Sequence, residues 1–394
     1  MKFFPITSPS GRATILVSKF EGRRSGDEFH IVVKDGVASD IDDALSDIGD
    51  AYDHALKTLG LSFCTAVFRR LFVSDFVNQR DAIEASRLAK GPEEEGPVCL
   101  SAVEQPPLPH NRVSLWAYHI GDCDTADKQK TDTGLAVRRS DVTHVWSAGM
   151  VDIDEGSRGS SFKQTEKIFS DCEQQLASLN GTPADDVIRT WIYVQNVDVN
   201  YAGMVKARRE LFEKWGLSKD THYIASTGIE GRWSDPRCFV LMDAYGAVGL
   251  DKEQVRFLTA PESLGPTSDY GVTFERATAV EYADRRHIFI SGTASIDPQG
   301  NTLHVRDVRG QTIRALENVE ALLRDGQASF EDMAHLIVYL RDPADLEVVS
   351  ACLKDRLPAI PLVFVHAPVC RPQWLVELEG VAVVAADNPH TKRF

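Results

Sequence analysis

Two glutamates near residue 380 have the type and spacing that acid catalysis requires. Glu377 and Glu379 lie in the apolar stretch WLVELEGVAVVA (374–385), and because side chains alternate along a strand, both project from one face. A buried acid is costly unless it is paired or functional, and burial raises its pKa so that it can donate a proton near neutrality. Glu377 is therefore the candidate acid. The alternative for either residue is an ion pair with an arginine at the sheet end.

A cysteine lies close to this candidate acid in the sequence. Cys370 precedes Glu377 by seven residues and is followed by Arg371. Most single cysteines are small core fillers, but this spacing makes Cys370 a second catalytic candidate. We expect Arg371 either to set the position of the thiol or to hold substrate.

A basic and aromatic cluster earlier in the chain suits a carboxylate ligand. Arg189, Trp191 and Tyr193 alternate along the predicted strand VIRTWIYVQN (187–196), so they point the same way. A guanidinium beside aromatic rings binds a planar carboxylate by paired hydrogen bonds and stacking. We expect Arg189 and Tyr193 to contact substrate. The alternative for Arg189 is a salt bridge across helices.

The next helix, predicted over 201–215, offers a second basic group. Tyr201 and Arg208 are seven residues apart and share one helix face. A basic side chain there could bind a second carboxylate, although a solvated face is the usual explanation for such charges.

A small polar segment follows that helix. The stretch STGIEGR (226–232) is predicted as a loop after a strand, whose hydroxyls and open amides suit an anion or a carbonyl. Thr227, Gly228 and Arg232 are its candidate substrate contacts, although the glycines also permit a tight turn. It is not a phosphate loop, because the pattern GxxxxGK[ST] is absent.

Metal and dinucleotide chemistry have no motif in the sequence. The eleven histidines form no HExxH pattern and no Cys/His cluster, and no GxGxxG motif follows a predicted strand. We expect neither a metal nor a cofactor.

Composition predicts a soluble cytoplasmic protein. Hydrophobic residues make up 43% and charged residues 26%, and the net charge of −15 disfavours nucleic acid as a partner. No apolar run reaches the roughly 18 residues of a membrane span, and residues 1–17 do not resemble a signal peptide. The seven dispersed cysteines indicate reduced thiols.

Three domain-length repeats must position these residues. In each third a strand pair precedes an amphipathic helix, a strand, a second helix and two more strands. This order, β-β-α-β-α-β-β, predicts an α+β fold in which two helices cover one face of a mixed sheet. The predicted domains span 1–122, 135–250 and 268–388.

The last third resembles the YjgF/RidA family. The resemblance lies in ISGTASIDPQG (290–300), QTIRALENVEALL (311–323), LIVYLRDPADL (336–346) and WLVELEGVAV (374–383). The middle third matches less closely, and the first third mainly in element order. Because members of this family are homotrimers with ligand sites between adjacent sheets, the resemblance implies three tandem chorismate-mutase-like domains forming a monomeric pseudo-trimer. The alternative is that the repeats only enlarge the core.

One feature of the family's enamine and imine deaminases is missing. Those enzymes grip the substrate carboxylate with an arginine shortly after a proline in the penultimate strand. The matching positions here hold Leu362 or Val363, Ala225 or Ser226, and Leu100. None can pair with a carboxylate as an arginine does, which argues against the ordinary deaminase.

The chorismatases, larger enzymes with YjgF-like domains, resemble the chain better. The resemblance lies in RTWIYVQN (189–196), NYAGMVKARRELF (200–212), ASTGIEG (225–231) and CRPQWLVELE (370–379). In chorismatases a glutamate on the final strand is the acid, and a cysteine at the spacing found here resembles the branch that makes 3-hydroxybenzoate. The resemblance implies a cofactor-independent enzyme of secondary metabolism with a small anionic substrate.

The predicted reaction is hydrolysis of chorismate to a hydroxybenzoate-type product and pyruvate, in one site formed by the second and third units. Two alternatives remain open. One is a RidA-type deaminase that uses a different anchor for the carboxylate. The other is a non-catalytic protein that binds a metabolite or serves assembly.

Overall fold

The chain folds into three units of the same design. The computed structural model describes residues 1–36, 38, 40–90, 96–109 and 111–394. Each unit contains one six-stranded mixed sheet. Helices cover one face of each sheet, where the apolar stripe of a long helix packs on alternate strand residues.

The bounds of the elements are as follows. Unit 1 contains β1 (Lys2–Thr7), β2 (Thr14–Phe20), β3 (Glu28–Lys34), α1 (Ile41–Leu59), β4 (Ala66–Val73), α2 (Phe76–Ala85), α3 (Arg87–Lys90), β5 (Cys99–Glu104) and β6 (Val113–Ile120). Unit 2 contains β7 (Lys128–Lys130), β8 (Gly134–Arg139), β9 (Val142–Val151), α4 (Ser161–Ser178), α5 (Pro183–Asp186), β10 (Val187–Val194), α6 (Val197–Lys214), β11 (Ala225–Glu230) and β12 (Val240–Val248). Unit 3 contains β13 (Val255–Leu258), β14 (Ala277–Glu281), β15 (Arg285–Thr293), α7 (Val308–Asp325), β16 (Met333–Leu340), α8 (Leu346–Arg356), β17 (Leu362–His366) and β18 (Val376–Ala385).

The three sheets share one strand order. The orders are β1-β2-β3-β6-β4-β5, β7-β8-β9-β12-β10-β11 and β13-β14-β15-β18-β16-β17. The last pair of each sheet is parallel, and the other neighbours are antiparallel. The fold is therefore α+β and repeats one topology three times.

The predicted order β-β-α-β-α-β-β is found in each unit with one more edge strand before it. These added strands are β1, β7 and β13. The last two lie in the stretches 121–134 and 249–270, between or at the edges of the predicted domains. Edge strands are exposed on one side and tolerate polar residues. A search for alternating apolar residues therefore does not detect them. The domain boundaries themselves stay a prediction.

The units pack in a cycle that makes the chain a pseudo-trimer. β5 of unit 1 contacts β9 of unit 2, β11 of unit 2 contacts β15 of unit 3, and β16 of unit 3 contacts β2 and β3 of unit 1. One apolar core runs through all three units. Among the helices of the described residues, none combines the length and apolar character needed to cross a bilayer.

A buried ion pair marks each of the three junctions. Arg70 of unit 1 pairs with Asp243 of unit 2 at 2.9 Å, and Arg189 of unit 2 pairs with Glu379 of unit 3 at 2.5 Å. Arg285 of unit 3 lies 2.6 Å from a carboxylate oxygen of Glu28 of unit 1. Because removing one partner leaves an uncompensated buried charge, each pair disfavours separation of its two units.

Candidate active site

A cleft lies where β11 of unit 2 meets β15 and β18 of unit 3. Unit 2 contributes Tyr201, Arg208, Ser226, Thr227 and Gly228 to the walls, and unit 3 contributes Phe274, Arg276, Gly292, Cys370, Arg371, Trp374 and Glu377. Seven of the ten site residues predicted from the sequence thus meet in one place, although they come from segments up to 176 residues apart.

Glu377 is the carboxyl group of this cleft. The residue is 4% exposed, and its Oε1 atom lies against the Cα of Gly292, where an added Cβ would overlap it. Burial raises the pKa of Glu377 to about 8, and the neighbouring charge of Glu379 acts in the same direction, against the opposing charges of Arg189 and Arg276. The side chain is therefore mostly protonated at neutral pH and can donate a proton.

Glu379 has a different environment from Glu377. Its Oε2 atom is 2.5 Å from Nη2 of Arg189 and also accepts a hydrogen bond from the Thr227 hydroxyl. Its Oε1 atom accepts one from the Tyr339 hydroxyl at 2.8 Å. The carboxylate is compensated on both oxygens, so it fixes the wall of the cleft instead of facing its interior.

Arg208 presents open hydrogen-bond donors in the same cleft. The residue is 1% exposed, and Nη1 makes a long hydrogen bond of 3.4 Å to the Ser226 hydroxyl. Its Nε and Nη2 atoms have no hydrogen-bond partner among the residues that the structure describes. Because buried polar groups are almost always satisfied, a guanidinium in this state is suited to bind an anion, and a carboxylate matches its geometry.

The start of α6 is fixed by a side-chain cap. Glu230, at the end of β11, accepts hydrogen bonds from the backbone amides of Asn196 and Val197 at 2.9 and 2.7 Å. A carboxylate also interacts favourably with the dipole at a helix N-terminus. The cap links the helix that carries Tyr201 and Arg208 to the strand that carries Thr227 and Gly228.

Gly228 allows the helix and the strand to approach closely. A Cβ at this position would lie 2.8 Å from Cε2 of Tyr201 and 3.2 Å from the terminal methyl of Met204. Any larger residue would push α6 away from the sheet. The glycine therefore serves packing of the cleft wall.

Cys370 and Arg371 form the rim between β17 and β18. Burial raises the pKa of the Cys370 thiol to about 12, the charge of Glu377 adds to this effect, and a hydrogen bond with Tyr201 opposes it. The thiol is thus protonated at neutral pH and is a poor nucleophile. The Arg371 guanidinium lies 4.9 Å from the centre of the Trp374 ring, a cation–π contact in the lining of the cleft.

Three predicted substrate contacts lie elsewhere. Arg189 is 1% exposed and lies behind the cleft wall, engaged by Glu379, Thr227 and, at 3.3 Å, Ser291. The Tyr193 hydroxyl is buried 3.4 Å from Asp243. Arg232 is half-exposed near Glu104 and Glu230 and borders a separate surface depression.

The predicted loop 226–232 needs a correction. Residues Ala225–Glu230 form β11, paired in parallel with β10, and Ile229 bridges to Val369 of unit 3. The small polar side chains are compatible with a strand because their hydroxyls find partners across the unit junction, as Thr227 does with Glu379.

Sequence reasoning missed Arg276 and Gly292. Arg276 is buried, and its Nε and Nη2 atoms donate to the Gly265 carbonyl at 3.2 and 2.9 Å. Its guanidinium is 5.5 Å from the Phe274 ring. The available sign was that Arg276 follows Phe274 by two residues, a spacing that places both side chains on one face of an extended segment.

The other two junctions lack the candidate acid. Strand pairing sets Glu377 opposite Tyr339, and the corresponding partners are Leu241 opposite Tyr193 and Ser114 opposite Phe72. Neither Leu241 nor Ser114 can act as a carboxylic acid. No group of three or more His, Cys, Asp or Glu side chains in the described ranges is arranged to hold a metal.

Parts of the chain are similar in sequence to known proteins. Residues 276–384 match the family model described as endoribonuclease L-PSP. A RutC family protein of Pyrococcus abyssi is 30% identical over 137 residues, which are 34% of this chain and 98% of that protein. The 3-hydroxybenzoate synthase of Streptomyces hygroscopicus is 28% identical over 223 residues, 50% of this chain. The match spans 63% of the synthase, less than two thirds of its length.

A solved structure shares the fold over most of the chain. The crystal structure of a chorismatase superposes with a TM-score of 0.62 at 21% sequence identity, covering 81% of this chain and 93% of that one. At this identity the likeness concerns the fold.

Proposed function

This chain belongs to the RutC family, and from that membership and the contents of its cleft we propose a cofactor-independent, chorismatase-like hydrolase. The observation that carries the proposal is that one cleft is lined both by Glu377, whose pKa is raised by burial, and by the open donors of Arg208. A substrate with an enol ether to protonate and a carboxylate to hold fits both groups. Chorismate has this combination in its enolpyruvyl group.

The proposed reaction begins with proton transfer. The carboxyl of Glu377 donates its proton to the methylene carbon of the enolpyruvyl group, and the electron pair of the double bond forms the new C–H bond. The ether carbon becomes an oxocarbenium-like centre. The Glu377 carboxylate then present next to this centre stabilises the positive charge.

Two routes complete the reaction. Water adds to the oxocarbenium-like carbon, the hemiketal loses the ring oxygen as leaving group, and pyruvate departs. Alternatively, the neighbouring ring hydroxyl adds to this carbon and loses its proton, which gives a cyclic ketal. Loss of the proton on the ring carbon that carries the ether oxygen, with cleavage of the adjacent ring C–O bond, makes the ring aromatic, and the remaining hemiketal collapses to a hydroxybenzoate and pyruvate. In both routes the proton released returns to Glu377, so no cofactor is consumed.

The other cleft residues have distinct proposed roles. Arg208 holds a substrate carboxylate, and Arg371 contributes positive charge at the rim. Thr227, Gly228 and Tyr201 shape the wall against which the substrate lies, and Cys370 supplies a neutral thiol beside the acid. Arg189 acts through Glu379 and Thr227, whose position it fixes.

A second candidate function, hydrolysis of an enamine or imine, is favoured by one observation. Ser226 is one of the positions that match the missing deaminase arginine, and Arg208 reaches it from α6, with Nη1 3.4 Å from the Ser226 hydroxyl. The guanidinium of Arg208 therefore lies near the position that the deaminase arginine would occupy, although it is carried by α6 instead of by the penultimate strand. Protonation of an enamine carbon by Glu377 would use the same acid.

An assay with two substrates decides between these functions. The purified chain is incubated with chorismate or with freshly generated 2-iminopropionate, and pyruvate, ammonia and aromatic products are measured. We expect pyruvate from chorismate with an equal amount of a ring product. Release of ammonia from the imine without turnover of chorismate would support the second function, and tight binding without turnover would identify a binding protein.

A further inference from the structure

We propose that Arg341 is a positioning residue that holds the two walls of the cleft in register. Arg341 directly follows β16 and does not line the cleft. Its effect on turnover rests on the proposed function, whereas its effect on the geometry of the rim does not. Both effects follow from the contacts of one guanidinium.

Arg341 joins unit 3 to the first turn of α6. Its Nη1 and Nη2 atoms lie 3.0 Å from the two carboxylate oxygens of Asp198, a paired geometry that fixes orientation as well as distance. Asp198 lies three residues before Tyr201 on the helix that also carries Arg208. The contact lowers the pKa of Asp198, as expected for a carboxylate that accepts charge-assisted hydrogen bonds.

The same side chain forms hydrogen bonds at both ends of the rim segment 369–374. Nη2 donates to the Val369 carbonyl, and Nε donates to the Trp374 carbonyl at 3.3 Å. The backbone amide of Arg341 also donates to Leu375 at 3.0 Å. Both ends of the segment that carries Cys370 and Arg371 are therefore fixed by one residue.

The arrangement is specific to the junction that contains Glu377. The residues that follow the equivalent strands β4 and β10 are Ser74 and Gln195, neither of which has a guanidinium. An ordinary surface ion pair contributes little to stability, but Arg341 connects three segments, and its side chain is only 18% exposed. Loss of the contacts that the Arg341 guanidinium makes should free the rim segment and separate Cys370 from Tyr201.

The experiment measures the reactivity of two thiols and the turnover of substrate. Alkylation of Cys370 by iodoacetamide at pH 9 is followed by mass spectrometry, with the partly exposed Cys64 of unit 1 as internal reference. The variants are R341A, R341K and the milder D198N. The control is R87A, which removes an arginine that bridges Asp50 and Asp53 on unit 1.

In R341A we expect the Cys370 to Cys64 rate ratio to rise about tenfold, because release of the rim segment relieves the burial that raises the pKa of the partly exposed Cys370 thiol and so increases its thiolate fraction at pH 9. In D198N the ratio should rise less, in R341K it should return toward wild type, and in R87A it should not change. Turnover should fall by about 10- to 100-fold in R341A at a temperature where the protein is folded, since misplacement far from the chemistry has effects of this size.

An unchanged ratio in R341A and D198N would overturn the proposal, as would a loss of thermal stability in R341A with unchanged turnover. If R341A does not fold, the ratio in D198N decides. If the wild-type chain does not turn over chorismate, the proposed function fails. The ratio of the Cys370 and Cys64 alkylation rates still tests whether Arg341 fixes the rim segment.

Discussion

Glu377 and Glu379 lie two residues apart on one face of β18, and their carboxyl groups have opposite surroundings. Glu379 receives hydrogen bonds from Arg189, Thr227 and Tyr339. Glu377 faces the cleft, and burial raises its pKa to about 8. The compensated carboxylate keeps a negative charge next to the cleft acid, and this charge helps to keep the acid protonated.

The first prediction concerns the buried pair of Arg189 and Glu379. Replacing either partner, by Arg189→Leu or Glu379→Gln, should destabilise the protein by about 3–5 kcal/mol, because one buried charge loses its partner. Thermal unfolding checks this. A charge-removing variant of an exposed pair, Arg80→Gln, should change stability by less than about 0.5 kcal/mol. Unchanged stability in Arg189→Leu would show that the guanidinium is free to serve the substrate, as the sequence suggested.

The second prediction separates Arg208 from Arg189. Arg208→Leu should raise the dissociation constant of a carboxylate substrate by about 10- to 150-fold, since a lost charge-assisted hydrogen bond costs roughly 1.5–3 kcal/mol. It should not lower the unfolding temperature, because the unpartnered Nε and Nη2 atoms are removed from a buried site. Calorimetric titration and thermal unfolding provide both values. Unchanged affinity together with lower stability would make Arg208 structural.

The third prediction is a pH profile. Because Glu377 acts as a proton donor, kcat/KM should be constant at lower pH and fall as pH rises through about 8, where the carboxyl ionises. A bound anionic substrate disfavours that ionisation, so the fall in kcat should occur at higher pH. Circular dichroism over the same range checks that the fold persists. A rate that rises through this range would identify a base instead of an acid.

The fourth prediction uses the backbone of β15. Gly292→Ala should displace the Glu377 carboxyl, since the added Cβ would lie 2.8 Å from its carbon. Turnover should fall by about 100-fold, the size expected for a misplaced catalytic group. Gly156→Ala is the matched control, because no atom lies within 4 Å of its added Cβ. Equal activity in the two variants would place the acid elsewhere.

The periodic elements were predictable from the sequence, and the pairings across units were not. The two-residue spacing on β18 and the seven-residue spacing on α6 showed that each pair of side chains shares a face. Each depends only on local geometry. The tandem repeat likewise followed from the recurring pattern of helix and strand.

Arg189 illustrates what the sequence could not show. Its partner Glu379 lies 190 residues away on another unit, and a salt bridge, the alternative considered for Arg189, is present with this strand glutamate. Tyr193 and Arg232 are likewise engaged by acids brought close only by the fold, Asp243 and Glu104. Sequence periodicity predicts the direction in which a side chain points. Only the packing of the units shows which residue it contacts.

The most direct test of the account is the release of pyruvate from chorismate by the wild-type chain and by Glu377→Gln. Glutamine preserves the shape of the side chain but cannot donate a proton of suitable acidity. We expect the wild type to release pyruvate and the variant to bind the substrate with a rate lower by about 10²–10⁴-fold. No pyruvate from the wild type, or a variant that retains more than about a tenth of the rate, would contradict the account.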